Sequence, residues 1–447
     1  MQASYIRLFT FNTYKMTDIK ALYSRYKQCG ALTTDTRDCP EGSMFIALKG
    51  GNFDGNLFAE KALESGCALV VVDNSEVADT LQAKYGADRC VLTDDCLQTL
   101  KDLAREHRRR FQIPVIGITG TNGKTTTKEL IAAVLSEKYD VLYTQGNFNN
   151  DVGVPKTLLR LESHHEIAII EMGASHPGDI KTLVETAEPD CGLITNVGRA
   201  HLQGFGSFEG VMQTKGELYD FLKDNPVFIN IDDEHLMKMA TARNIDRLIT
   251  YSAKGQGTVN GEIVSCDPFL TFSWDEREVH TQLVGAYNIY NALAAITVGL
   301  HFGVNEQAIL RALEGYAPSN NRSQLMTTDR NRLVVDAYNA NPSSMAAALE
   351  NFVLMKAERK MAIIGSMGEL GESSEEEHRR LVEQLEKARL NEVWLVGDAF
   401  KDIPCPFRKF HDTDEVKAAI AEQRPTDYTI LIKGSNSVKL FELPQLL

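Results

Sequence analysis

Val115-Ile116-Gly117-Ile118-Thr119-Gly120-Thr121-Asn122-Gly123-Lys124-Thr125-Thr126-Thr127 is the stretch that decides the fold. Its first five residues form an apolar run of strand length, its centre is bracketed by glycines, and Lys124 onward starts a helical pattern. Backbone N–H groups at such a helix start point at a phosphate, and the glycines let the chain close around it. Gly120, Thr121, Asn122 and Gly123 then line the cradle of a nucleotide. Lys124 neutralises its β- and γ-phosphates, and the Thr125 hydroxyl, followed by Thr126, completes a Mg²⁺ shell. The strict Walker A spacing is not met: it calls for glycine at 118, where Ile118 stands, and the glycines fall at 117 and 120 instead. A plain glycine-rich turn with an exposed lysine is the competing interpretation, and it leaves the flanking strand and helix unexplained.

Outward from this stretch the chain reads as three α/β blocks. The block 112–317 continues with apolar strands at Ile167-Ala168-Ile169-Ile170 and Gly192-Leu193-Ile194-Thr195, each followed by a helical segment, which predicts a mostly parallel sheet flanked by helices. Near its end, from Thr258 to Val284, short β-rich runs precede a helix at Asn288 to His301. The block 1–111 alternates strand-like runs such as Ser43 to Leu48 and Ala68 to Val72 with helices. It ends in the basic run Arg105 to Arg110 before Pro114, which reads as a solvated helix terminus. The block 318–447 opens near Ala317-Pro318-Ser319-Asn320 and repeats the rhythm through Leu333 to Asp336, Met361 to Ile364, Val393 to Val396 and Thr429 to Ile432. The fold class expected is α/β in three domains: an N-terminal substrate domain, a central P-loop domain and a C-terminal Rossmann-like domain.

Bulk properties narrow the partners. With 47 Lys and Arg against 61 Asp and Glu, the formal net charge is -14. A field of that sign repels nucleic acid and anionic membranes, so neither is expected as a partner. Met1-Gln2-Ala3-Ser4-Tyr5 lacks a basic stretch leading into an apolar one, so no signal peptide is expected, and no apolar run approaches the ~18 residues that span a bilayer. The eight cysteines form no CxxC pair, which points to reduced thiols in a cytoplasmic protein. It is expected to act as a monomer.

Several polar residues sit where open α/β sheets place their chemistry. Glu171 ends the run Ile167 to Ile170, so it is either a metal ligand or a solvated strand-end carboxylate. His201, in Asn196-Val197-Gly198-Arg199-Ala200-His201, follows the next strand and taken singly is a loop histidine. Lys215 is by itself a helix-face lysine. Asn288 and Asn291 lie three apart at a helix start, where an amide can read adenine or simply cap the helix.

Gly120-Thr121-Asn122-Gly123-Lys124-Thr125 resembles the P-loop variant of the Mur ligases and folylpolyglutamate synthetases, and the later motifs follow in Mur ligase order over nearly the whole chain. The resemblance implies ATP as nucleotide and an acyl-phosphate route to an amide bond. It pairs His201 with Lys215, fourteen residues on (215 − 201), as a metal-binding histidine and a lysine carbamylated by CO₂. It implies two Mg²⁺ ions, one on Thr125 and Glu171, the other on Glu171, His201 and carbamylated Lys215. It further implies that Asn288 and Asn291 read the adenine, Arg322 reaches nucleotide phosphate, Asp336 meets the ribose and Tyr338 lies near the base. Within the family, Gly146 to Pro155, Glu171 to Ile180 and Gly365 to Gly371 resemble the members that add D-alanyl-D-alanine to a UDP-N-acetylmuramoyl-tripeptide. Asn147, Asn149, Asn150 and Ser175 are then expected to touch that substrate, and Thr36, Arg37 and Lys49 its UDP part. Two departures stand out: Asn321 precedes Arg322 where the family often has glycine, and Asn436 replaces a common arginine. Another amino-acid ligase of the family and a P-loop nucleotide switch are the alternatives.

Overall fold

The computed structural model describes residues 18–318 and 322–447, so the N-terminal pentapeptide and Ser319, Asn320 and Asn321 lie outside the described residues. The chain divides into two compact units, Met1–Gln112 and Ile113–Leu447.

In the first unit four parallel strands lie in the order Leu32–Thr33, Met44–Ile46, Leu69–Val72 and Cys90–Leu92. The inner two are buried at every position, the pattern of a sheet covered on both faces. Ile19–Cys29, Ser75–Tyr85 and Cys96–Arg108 begin at Asp18, Asn74 and Asp95, whose carboxylate or amide oxygens accept the first free helix N–H groups. The basic run closes the last of these helices, where cations offset the helix dipole, and Arg105 bonds Asp102 at 2.6 Å.

The second unit carries a seven-stranded, wholly parallel sheet. Its order is Val259–Asn260, Leu248–Ser252, Val227–Asn230, Cys191–Ile194, Val115–Thr119, Ile167–Glu171 and Val141–Tyr143. Val115–Thr119 is flanked by Ile167–Glu171 on one side and Cys191–Ile194 on the other, so successive connections leave it in opposite directions. A crevice opens at the carboxyl ends of strands at such a switch point, and Gly120 enters it directly. The helix Lys124–Ser136 covers one face of the sheet beside Asn288–His301, which is apolar nearly all round and correspondingly buried. The β-rich run forms an antiparallel ribbon of Glu262–Cys266, Leu270–Trp274 and Arg277–His280, whose Leu270, Phe272, Trp274 and Val279 join the same core.

A six-stranded sheet follows in the order Gln324–Thr327, Arg332–Asp336, Thr429–Lys433, Lys360–Gly365, Glu392–Val396 and Arg408–Phe410. Only its first pair is antiparallel. Successive side chains point to opposite faces, so Val334, Ala362, Leu395 and Leu431 pack on one side with Phe352 and Leu381, while Val335, Ile363, Trp394 and Ile432 pack on the other with Val416 and Ile420. The α/β class expected from the sequence is the one observed; the antiparallel edge strand was not anticipated. Among the described residues no helix is long and apolar enough to cross a membrane.

Leu193, fully buried and opposite Ile118 of the P-loop strand, is a direct test of this core. Leu193→Ala is expected to lower stability by about 2–5 kcal/mol in urea unfolding. A loss below about 1 kcal/mol would place that face outside the core.

Candidate active site

Gly120 leaves the strand with φ +142° and Gly123 opens the helix with φ +80°, and a Cβ on Gly123 would lie 2.7 Å from the Asn291 amide oxygen. Only glycine fits there. The turn between them is braced from the neighbouring strand. Asn122 N–H donates to Asn196 Oδ1 at 3.0 Å, and Thr195 Oγ1 donates to Asn122 O at 2.6 Å. Gly198 N–H donates to Thr121 Oγ1 at 3.0 Å. From the C-terminal sheet's side, Asn341 Nδ2 donates to Asn122 Oδ1 at 2.8 Å. Asn196 and Asn341, which the motif spacing did not single out, thus shape the cradle.

Lys124 Nζ curls onto the cradle's own carbonyls, Gly120 O at 2.8 Å and Thr121 O at 3.1 Å. Burial pushes its pKa down, the Glu171 carboxylate pushes it back up, and the Arg322 charge lowers it. Arg322 stacks with its guanidinium carbon 3.8 Å from the Tyr338 ring centroid, and its buried Nε has no acceptor among the described residues. An arginine held flat on an aromatic ring beside the P-loop lysine, with a donor to spare, suits a phosphate oxygen.

Glu171 is the centre of the constellation. It is 1% exposed at the end of its strand, with its N–H bonded to Thr144 Oγ1 at 3.0 Å. Its Oε1 accepts from Thr125 Oγ1 at 3.2 Å and from Asn149 Nδ2 at 2.8 Å. Its Oε2 is buried with no hydrogen-bond partner, and Lys128 Nζ stands off at 3.9 Å. An ionised carboxylate oxygen left bare in the interior is costly unless a cation meets it. Thr125 and Glu171 therefore fit a hard divalent cation.

His201 and Lys215 flank one aromatic ring: the His201 ring lies 6.1 Å from Phe205, edge to face, and Lys215 Nζ lies 5.5 Å from its centroid. Lys215 is 2% exposed, with only Ala174 O near its amine at 3.5 Å and no carboxylate within ion-pair distance among the described residues. Burial holds its pKa well below the usual range, and the Lys124 charge adds to this. Burial also lowers His201, while Glu369 raises it. Asp140, His164 and His165 form a separate surface group at the opposite end of the same strands and take no part in the site.

The remaining sequence candidates divide. Asn149 holds Glu171 through its Nδ2 at 2.8 Å. Asn150 Oδ1 accepts Gly153 N–H at 2.8 Å in the turn leading into the next helix, and Asn147 is exposed. Ser175 bonds His176 Nδ1 at 3.0 Å. Asn288 and Asn291 are 2% and 7% exposed and bonded to protein, Asn288 Nδ2 to Val284 O at 2.8 Å and Asn291 Nδ2 to Asn288 Oδ1 at 2.7 Å. Thr127 Oγ1 donates to Asn291 Oδ1 at 3.0 Å, so the pair braces the P-loop helix. Asp336 is ion-paired with buried Lys433, a partner no local motif revealed. Thr126 is half-buried at the mouth of the cradle.

In the first unit Arg37 is 87% exposed and doubly bonded to Asp35, with Nη2 to Oδ2 at 2.7 Å and Nε to Oδ1 at 2.9 Å. Thr36, between them, is half-buried. Lys49 pairs with Asp73 at 2.8 Å.

Comparison with known proteins bears on all of this. The profile described as Mur ligase family, catalytic domain matches residues 30–108, Mur ligase middle domain matches 118–299, and Mur ligase, glutamate ligase domain matches 321–436. The UDP-N-acetylmuramoyl-tripeptide–D-alanyl-D-alanine ligase of Bacillus subtilis (strain 168) is 34% identical over 433 residues, covering 92% of each chain. The crystal structure of MurF from Acinetobacter baumannii superposes with a TM-score of 0.84 at 29% identity, covering 93% of this chain and 92% of that one. MurF ligase from Thermotoga maritima in complex with ADP superposes with a TM-score of 0.82 at 27% identity, covering 96% and 98%. Sequence relatives at this identity, spanning nearly the full length of both chains, place the P-loop and its buried carboxylate in a known setting: this chain belongs to the Mur ligase family.

Proposed function

We propose that this chain is an ATP-dependent ligase that joins D-alanyl-D-alanine to UDP-N-acetylmuramoyl-tripeptide, releasing ADP and phosphate, in the cytoplasm. The observation that carries this is Glu171: a buried carboxylate oxygen without a donor, beside a P-loop threonine and a lysine whose amine is parked on the loop's own carbonyls. The relatives supply the substrates, since the Bacillus subtilis enzyme is named for that ligation. Eight free cysteines fit a reducing compartment.

In this account the cradle takes the β- and γ-phosphates, and Lys124 turns from Gly120 O and Thr121 O onto them. Arg322 spends its free Nε on a phosphate oxygen. An oxygen of the tripeptide's terminal carboxylate attacks the γ-phosphorus and ADP leaves; the amine of D-alanyl-D-alanine then attacks the acyl carbon and phosphate leaves with that oxygen. Thr125 and Glu171 would hold one Mg²⁺, and Glu171, His201 and Lys215 a second. Magnesium, when bound, spreads the charge of the γ-phosphate and of the carboxylate approaching it. Asn149 keeps the Glu171 carboxylate turned toward Thr125.

Lys215 as an ammonium would be a buried cation facing the charge of Lys124. Its amine with CO₂ gives a carbamate and a proton, and the change from cation to anion suits a buried amine that no carboxylate meets at ion-pair distance among the described residues, Asp179 and Glu217 acting on it only from farther off. Arg37 and Lys49 serve the UDP diphosphate in this proposal, once released from Asp35 and Asp73.

Two outcomes are expected. With ATP, Mg²⁺ and UDP-tripeptide, ADP release depends on D-alanyl-D-alanine and the product has the mass of the UDP-pentapeptide; Lys124→Ala lowers the rate at least ~100-fold. ATP hydrolysis indifferent to the dipeptide would instead favour a nucleotide switch. Protein equilibrated with ¹³C-bicarbonate shows a carbamate carbon by NMR that Lys215→Arg abolishes; a spectrum without it sinks the carbamate.

A further inference from the structure

His201 follows the strand Cys191–Ile194 in the left-handed region, φ 51°, a conformation a β-carbon resists unless its surroundings impose it. The contacts around it come from the other sheet of the unit. Glu369, itself at φ 61°, brings its carboxylate against His201 Nδ1 in a close ion-pair contact. The turn bearing Glu369 is seated on the short helix Leu202–Phe205 that begins just after His201. Gln203 N–H donates to Glu369 O at 3.4 Å, and at Gly371, φ 56°, an added Cβ would stand 3.2 Å from the Gln203 side chain. The same seam is tied at Arg199, whose Nη1 meets Glu377 Oε1 at 2.9 Å and whose N–H donates to Ser343 Oγ at 3.2 Å. Glu369 remains 63% exposed, so neither core packing nor burial accounts for it.

With the Glu369 carboxylate against Nδ1, Nε2 is the ring nitrogen left for a metal. Metal-bound histidines are oriented by partners of this kind. Phe205 packs edge-on against the ring, so the imidazole has two neighbours, Glu369 and Phe205, that fix its plane.

We propose that Glu369 is a positioning residue for His201, so that the second Mg²⁺ site is complete only when the Met367–Gly371 turn is seated against the P-loop sheet. The proposal rests on the metal assignment above and extends it by naming what builds the site. It makes seating of the turn and binding of the second ion mutually reinforcing, because whatever favours one must favour the other.

The test uses the full-length protein with ADP and Mn²⁺ as the probe for Mg²⁺, read by electron paramagnetic resonance titration. Wild type is expected to bind two ions, the weaker one lost in His201→Ala. Glu369→Ala weakens that ion by ~10–100-fold and leaves the tighter one unchanged, while Glu369→Gln, which keeps an oxygen and the side-chain length against Nδ1, keeps most of the affinity. Metal-free melting temperatures of both variants stay at the wild-type value. In turnover, Glu369→Ala raises the Mg²⁺ concentration for half-maximal rate and leaves the KM for ATP unchanged. Unaltered binding of both ions in Glu369→Ala, or equal loss of both, overturns the proposal. Wild type with no His201-dependent ion overturns the metal assignment beneath it, a result independent of which product the ligase assay yields.

Discussion

Glu171 closes a buried strand with one carboxylate oxygen bonded to Thr125 and Asn149 and the other facing inward with no donor. The protein interior tolerates such an oxygen only where positive charge is close, and here Lys128 and Lys124 lower its cost without touching it. That constraint organises the site. Positive groups gather around one anion, inside a chain whose overall charge is -14. A triphosphate and its metal complete an arrangement that is otherwise electrostatically unfinished.

The parallel sheet supplies the place. Because Val115–Thr119 lies between strands reached by connections of opposite direction, the loops after Thr119, Glu171 and Ile194 converge over one crevice. The cradle is then held from behind by Asn291 and Thr127, from the side by Thr195 and Asn196, and from across the seam by Asn341. Each contact fixes backbone that must meet phosphate within a fraction of an ångström, which is how preorganised donors stabilise charge without rearranging. The Asn341 and Glu369 contacts carry this further, because they join the P-loop sheet to the second sheet of the same unit.

Much of this was legible in the residues. The strand–turn–helix around Gly120 is a local pattern, and so are the strand-end position of Glu171 and the alternating strands and helices of each block. What escaped the sequence was non-local. Asn149 reads as one of three asparagines in a turn, and only the fold shows that it alone reaches Glu171 while Asn150 ties the turn to Gly153. Asn288 and Asn291 have the spacing of a recognition pair, and the bond to Thr127 that braces the P-loop helix shows only in the fold. Lys128 looks like a helix-face lysine one turn beyond Lys124 and is fully buried; Lys433 is paired with Asp336 across 97 residues. Partnerships of that separation leave no periodic trace.

The central claim is that ATP's γ-phosphoryl group passes to a carboxylate oxygen before the new amide forms. It is tested most directly with UDP-muramoyl-tripeptide labelled with ¹⁸O in its terminal carboxylate, turned over with ATP and D-alanyl-D-alanine and followed by ³¹P NMR of the released phosphate. The account predicts a phosphate resonance shifted by a single ¹⁸O, with the second label retained in the amide carbonyl. Phosphate free of label would contradict it.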